Sequence, residues 1–185
     1  MDNFYIITGG PGAGKTTLIE ALRARGFAVA GEAGRAILKL QQAIDGPAQH
    51  HRDAALYAEL MLARDMQGYE AMRGVKGPVF FDRGVPELVG YFGMMGLAVP
   101  PHFERAAALY RYNRRVFLAP YWPEIYAHDA ERKQSLGEAE RTAQAAGAIY
   151  PRLGYDIVEL PRESVEARVA FVLDAVGLAP QVRQV

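Results

Sequence analysis

Near the start of the chain, Gly9-Gly10-Pro11-Gly12-Ala13-Gly14-Lys15-Thr16 has the spacing G-x-x-x-x-G-K-[ST], a pattern suited to gripping a polyphosphate. Glycines open backbone conformations closed to other residues, so successive N–H groups can face one point, and the positive end of a following helix adds to their field. Gly10, Pro11, Gly12, Ala13 and Gly14 would form that cradle, with Thr17 continuing into the helix. Lys15 can reach the β- and γ-phosphates as a mobile charge, and the Thr16 hydroxyl is placed to ligate Mg²⁺ bridging them.

Two acids stand at the ends of short apolar runs. Asp82 follows Val79-Phe80-Phe81, and Glu32 follows Phe27 to Ala30 with Gly31 and Ala33-Gly34 around it. In open α/β sheets ligands bind beyond the carboxyl ends of the strands, so both carboxylates would face the phosphate loop. Asp82 could organise Mg²⁺ or take a proton from an attacking hydroxyl, and Glu32 is the second candidate base. Arg83 could contact phosphate or substrate, and Arg35 could clamp the substrate. Further along, Asp129, Arg132, Lys133 and Arg141 form a polar, largely basic stretch that could close over a triphosphate. His50, His51 and His128 match no metal-ligand spacing, and no metal site is read from them.

These groups need strands and helices to hold them. Phe4 to Thr8, Phe27 to Ala30, Val79 to Phe81, Arg115 to Leu118 and Asp156 to Leu160 read as five strands. Apolar residues at helical spacing predict helices over 15–25, 34–43, 50–73, 86–95, after Pro100-Pro101, 136–146 and 165–176. Strands alternating with helices predict an α/β fold: one domain over 1–185 with a five-stranded parallel sheet covered by helices on both faces. The Met61, Met66 and Met72 stripe reads as core, while Tyr57, Arg64 and Tyr69 on the long helix could line a pocket.

With 21 basic and 21 acidic residues in 185, the footprint of a general nucleic-acid binder is missing. The absence of Cys removes disulfides, thiolate metal sites and cysteine nucleophiles. No stretch approaches the length of a membrane span and the first residues carry no secretory pattern, so the expectation is a cytoplasmic protein without nucleic-acid or membrane partners.

Through Gly9 to Thr16, Glu32-Ala33-Gly34-Arg35, Phe81-Asp82-Arg83-Gly84 and Asp129-Ala130-Glu131-Arg132, the chain resembles the small AAA-like P-loop ATPases grouped with bacterial nicotinamide riboside kinase domains. The likeness spans most of the chain. It implies a nucleoside- or nucleotide-kinase-like fold with a helical substrate region at about 45–75 and a lid at about 121–142. It also implies roles: Glu32 and Asp82 as base and metal-organising acids, Arg132 and Arg141 as lid arginines, and 161–165 as backbone against adenine. Gly84 departs from the Ser or Tyr found after the Asp-Arg of deoxynucleoside and thymidylate kinases.

The sequence therefore predicts a Mg²⁺-dependent phosphotransferase moving the γ-phosphoryl of ATP to a small nucleoside- or nucleotide-like acceptor. Lys15, Asp82, Glu32 and Arg132 would carry the chemistry. The alternatives are a nucleotide-dependent switch acting through a protein partner and a slow NTPase with water as acceptor. The guanine-reading N-K-x-D signature is absent.

Overall fold

The computed structural model describes residues 1–125 and 136–178, with backbone alone over 136–143. Five strands, β1 (Phe4–Gly9), β2 (Ala28–Ala30), β3 (Val79–Asp82), β4 (Arg115–Ala119) and β5 (Asp156–Glu159), form one parallel sheet in the order β2-β3-β1-β4-β5. The helices are α1 (Lys15–Ala24), α2 (Ala33–Ala43), α3 (Ala54–Ala71), α4 (Val85–Met94), α5 (Pro101–Leu109), α6 (Leu136–Arg152) and α7 (Val165–Ala175). Strand β1 lies between β3 and β4, so the chain departs to opposite sides of it. A crevice opens at its carboxyl end, where the glycine loop begins.

Both faces of the sheet are apolar because successive strand residues point to opposite sides. Ile7, Phe80 and Phe117 pack on one face with Leu18, Ile19 and Leu22 of α1 and Val169 and Val172 of α7. Phe4, Ile6, Val79, Phe81 and Val116 pack on the other with Tyr69 of α3 and Ile149 and Tyr150 of α6. Each such side chain taken from water contributes about 1.5–3 kcal/mol. A third cluster, with Ile37, Tyr57, Met61, Leu62, Leu88, Phe92 and Phe103, binds α2, α3, α4 and α5 together beside the sheet.

Two helices differ from expectation. The long helix starts at Ala54, not at 50, because the Asp53 carboxylate accepts from Leu56 N at 2.9 Å and caps it. The preceding turn is fastened by Gln49 Nε2 donating to Gly46 O and Ala48 N donating to Gln41 Oε1. Helix α6 runs to Arg152 instead of stopping near Ala146, with Pro151 in its last turn. Ile149 and Tyr150 are fully buried there, and that burial outweighs the hydrogen bond Pro151 cannot make. No described helix is long and apolar enough to cross a membrane.

Candidate active site

The loop between β1 and α1 has the strained backbone that its glycines permit. Gly9, Gly12 and Gly14 have φ of 135°, 76° and 74°. A Cβ on Gly9 would stand 2.3 Å from Ala119 O, so only glycine lets β1 leave the sheet here. Ala13 is buried, whereas Thr16 and Thr17 open the first turn of α1 to solvent. Lys15 is folded onto its own loop, Nζ donating to Gly9 O at 2.9 Å and Gly10 O at 2.8 Å. Burial, then the nearby Arg83 charge, lowers its pKa to about 8.

Beside it, Asp82 ends β3 almost fully buried, and its Oδ1 has no hydrogen-bond partner. Burial raises its pKa to about 6 against the opposing pull of Lys15. Asp82 shares a small cavity of about 270 Å³ with Thr16 and Glu32. Arg83 has φ 69° and turns its guanidinium across the end of the sheet. Nε donates to Glu32 Oε1 at 3.1 Å, Nη2 donates to Gly9 O at 3.0 Å, and Nη1 donates to Glu87 Oε1. All three nitrogens are thus engaged within the protein. Burial alone would raise the pKa of Glu32, but Arg83, then Lys15 and Arg35, hold it below its ordinary value. Arg35 Nε lies 3.9 Å from Glu32 Oε2 and is partly exposed.

The loop opens into a cleft of about 1410 Å³. Gly12, Gly14 and Thr17 of the loop and first turn line it together with Trp122, Ile125 and Ser164, and so do Glu32, Arg35, Tyr57, Asp65, Glu87 and Tyr91. Glu163 and Val165, within the segment expected near adenine, line it too. Helices α2 and α3 approach closely beside it, for a Cβ on Gly34 would lie 2.9 Å from the Tyr57 hydroxyl and 3.1 Å from Met61 Sδ. Tyr57 and Tyr91 meet edge to face at 6.1 Å, and the buried Tyr91 hydroxyl has no hydrogen-bond partner. His50 and His51 stand at the exposed edge of the cleft. Of the other long-helix candidates, Tyr69 belongs to the core and Arg64 is exposed. Gly84 has its own explanation: a Cβ there would lie 2.9 Å from the Tyr112 ring.

Several of these groups were not among the sequence candidates. Glu87 accepts from Thr8 Oγ1 at 2.5 Å and Tyr150 OH at 2.9 Å as well as from Arg83. Its place four residues after Arg83, in the first turn of the helix that follows, was the available signal. Asp65 sits in the apolar stripe of α3, four residues from Met61 and four from Tyr69. Burial, then the Glu87 and Glu32 charges, raises its pKa to about 8, so it carries a proton at neutral pH. Asp129, Arg132 and Lys133 lie outside the described residues, as does the side chain of Arg141. Among the described residues no group of three or more His, Cys, Asp or Glu could hold a metal ion.

Residues 4–168 match the model of a family described as an AAA domain. No curated protein matches the chain by sequence. Among solved structures, the NadR protein in complex with NR aligns with a TM-score of 0.69 at 18% identity, over 98% of this chain and 52% of that one. The chain thus spans about half the length of that protein. Deoxyadenosine kinase from M. mycoides with bound dATP aligns at 0.60 and 10% identity, over 94% and 99%. Thymidylate kinase from Ehrlichia chaffeensis aligns at 0.59 and 15%, over 95% and 98%. The chain shares the fold of these structures, and with residues 4–168 under the family model it belongs to the AAA domain family.

Proposed function

We propose that the protein is a Mg²⁺-dependent phosphotransferase that moves the γ-phosphoryl of ATP to a hydroxyl or phosphate of a small nucleoside- or nucleotide-like acceptor. The observation that carries this reading is one cleft with two unlike ends, a glycine phosphate loop at one and Glu32, Arg35, Asp65 and aromatic rings at the other. A simple hydrolase needs no second end of that kind. The similarity in fold to NadR, deoxyadenosine kinase and thymidylate kinase supports the same reading.

The loop N–H groups and Lys15 would take the β- and γ-phosphates, Lys15 exchanging its two loop carbonyls for phosphate oxygens and regaining full charge. The acceptor oxygen then attacks the γ-phosphorus while the bond to the β–γ bridging oxygen breaks, and ADP leaves. The acceptor proton passes to a carboxylate and on to solvent. Glu32 lines the cleft and is held in place by Arg83, which suits it to orient the acceptor hydroxyl. A loose transition state makes proton transfer late, so a weak base suffices. Arg83 acts here by positioning Glu32 and the Gly9 carbonyl, and Arg35 reaches the acceptor. Arg132 and Arg141 are assigned to the charge on the moving group by their place in the expected lid.

Thr16 and Asp82 fit Mg²⁺: a hydroxyl and an unpartnered carboxylate oxygen border one small cavity, and hard cations of this size take such oxygens. The ion would supply charge neutralisation on the β- and γ-oxygens. With so few protein ligands, most of its coordination would come from phosphate and water.

The test is ADP formation from MgATP with and without a panel of nucleosides and nucleotides. Turnover that rises with one acceptor, and a phosphorylated product, support the transferase. Acceptor-independent turnover supports the hydrolase, and stimulation by a protein partner supports a switch.

A further inference from the structure

Helix α7 begins under a Ser164 cap, whose hydroxyl accepts from Ala167 N at 3.2 Å, and buries Arg168 along with Val169 and Val172. Arg168 is only 2% exposed. Its guanidinium ends against the phosphate loop, where Nη1 donates to Ala13 O at 3.0 Å. A Cβ on Gly14, whose φ of 74° already favours glycine, would lie 2.6 Å from the same nitrogen, so the guanidinium packs directly on the loop. Nε and Nη2 are buried without any hydrogen-bond partner, and no carboxylate pairs with the group among the described residues.

Arg83 provides the contrast within the same cleft. It is half-buried, and Glu32, Glu87 and Gly9 O engage all three of its nitrogens. Among the described residues Arg168 has one partner and no counter-charge. A buried, unmatched guanidinium destabilises the protein that holds it until an anion arrives, and burial accordingly draws its pKa down. Ile125 and Arg168 both border Gly14 of the loop, and all three line the cleft.

We infer that Arg168 is a positioning residue of the donor site: its Nη1 bond fixes the Ala13 carbonyl so that the loop N–H groups face inward, and its unmatched charge is neutralised by the bound polyphosphate. The inference rests on reading the loop as a nucleotide site. A merely structural arginine would lose stability and affinity together on replacement. This one should separate them, because a methionine of similar length removes the buried charge and both orphaned donors.

The experiment measures thermal unfolding of the ligand-free protein and calorimetric affinity for MgATP and for inorganic tripolyphosphate, in wild type, R168M and R168K. R168M should unfold at an unchanged or higher temperature, while affinity for both ligands falls by the same factor, roughly 10- to 100-fold, as for a lost charged hydrogen bond. R168K, which keeps the charge but loses the planar fork, should lie between. Lowered stability or misfolding of R168M, or unchanged affinity, would overturn the inference. So would weaker MgATP binding with tripolyphosphate binding intact, which would make Arg168 a reader of the base. If wild type bound neither ligand, the nucleotide-site reading would fail first and take this inference with it.

Discussion

The donor and acceptor ends of the cleft are built by different means. At the donor end the work falls to backbone: three glycines at positive φ, amides at the start of α1, and one lysine tied to its own loop. At the acceptor end it falls to side chains from four elements, Asp65 on α3 and, joined through the Arg83 guanidinium after β3, Glu32 before α2 and Glu87 on α4. A backbone cradle recognises what all polyphosphates share, and a side-chain lining can be altered one residue at a time. On the proposed function, the first end would hold the nucleotide and the second would select what is acted on.

The largest effect on this contrast is expected from Lys15→Ala, which should reduce ATP turnover by on the order of 10³-fold, as loss of one charge on a transferring phosphoryl group does. Steady-state ADP release checks it, and undiminished turnover would remove Lys15 from the chemistry. Next comes Arg83→Met, which strands Glu32 and Glu87 at the acceptor end. Removing one partner of this half-buried ion network should destabilise by more than about 1 kcal/mol but less than the ~3–5 kcal/mol of a fully buried pair, to be read from urea unfolding. A loss below about 1 kcal/mol would show that the network is solvated like a surface pair.

The same division governs what could be read from the amino acids alone. Gly9 to Thr16 is contiguous and its geometry is local, so spacing sufficed to find it. The continuous apolar runs of β1, β3 and β4 were equally plain, since a strand buried on both faces reads as an unbroken apolar run. Glu32 and Asp82 could be placed in the crevice because strand ends were visible. What joins Glu32 to Arg83 across 51 residues, or Tyr150 to Glu87 across 63, has no local signal. Arg168 was hidden in the same way, lying between apolar residues of α7 with its partner 155 residues away. The start of α3 was missed because a single Asp53 cap outweighed continuous helical spacing.

Two smaller effects sharpen the comparison. The pKa of Asp65 is about 8 in the folded protein against an ordinary 3.8, so between those values the unfolded chain has lost a proton that the folded one keeps. This group's contribution to stability therefore falls as pH rises through that window. Asp65→Asn should melt with wild type near pH 4 and progressively above it toward pH 8.5, by roughly 2–4 °C for each kcal/mol relieved. Melting curves across pH check this, and a pH-independent offset would contradict it. The least effect belongs to Asp53→Ala, which removes the cap of α3 and should cost about 1 kcal/mol of stability, read from the midpoint of denaturant unfolding.

The central claim is that the turn opening α1 exists to hold the polyphosphate of a nucleotide. Titration calorimetry of the wild-type protein with MgATP tests it most directly. A saturable heat that disappears in Lys15→Ala and is largely lost without Mg²⁺ is the predicted result. No heat at millimolar MgATP or MgGTP, with no rise in melting temperature, would contradict it.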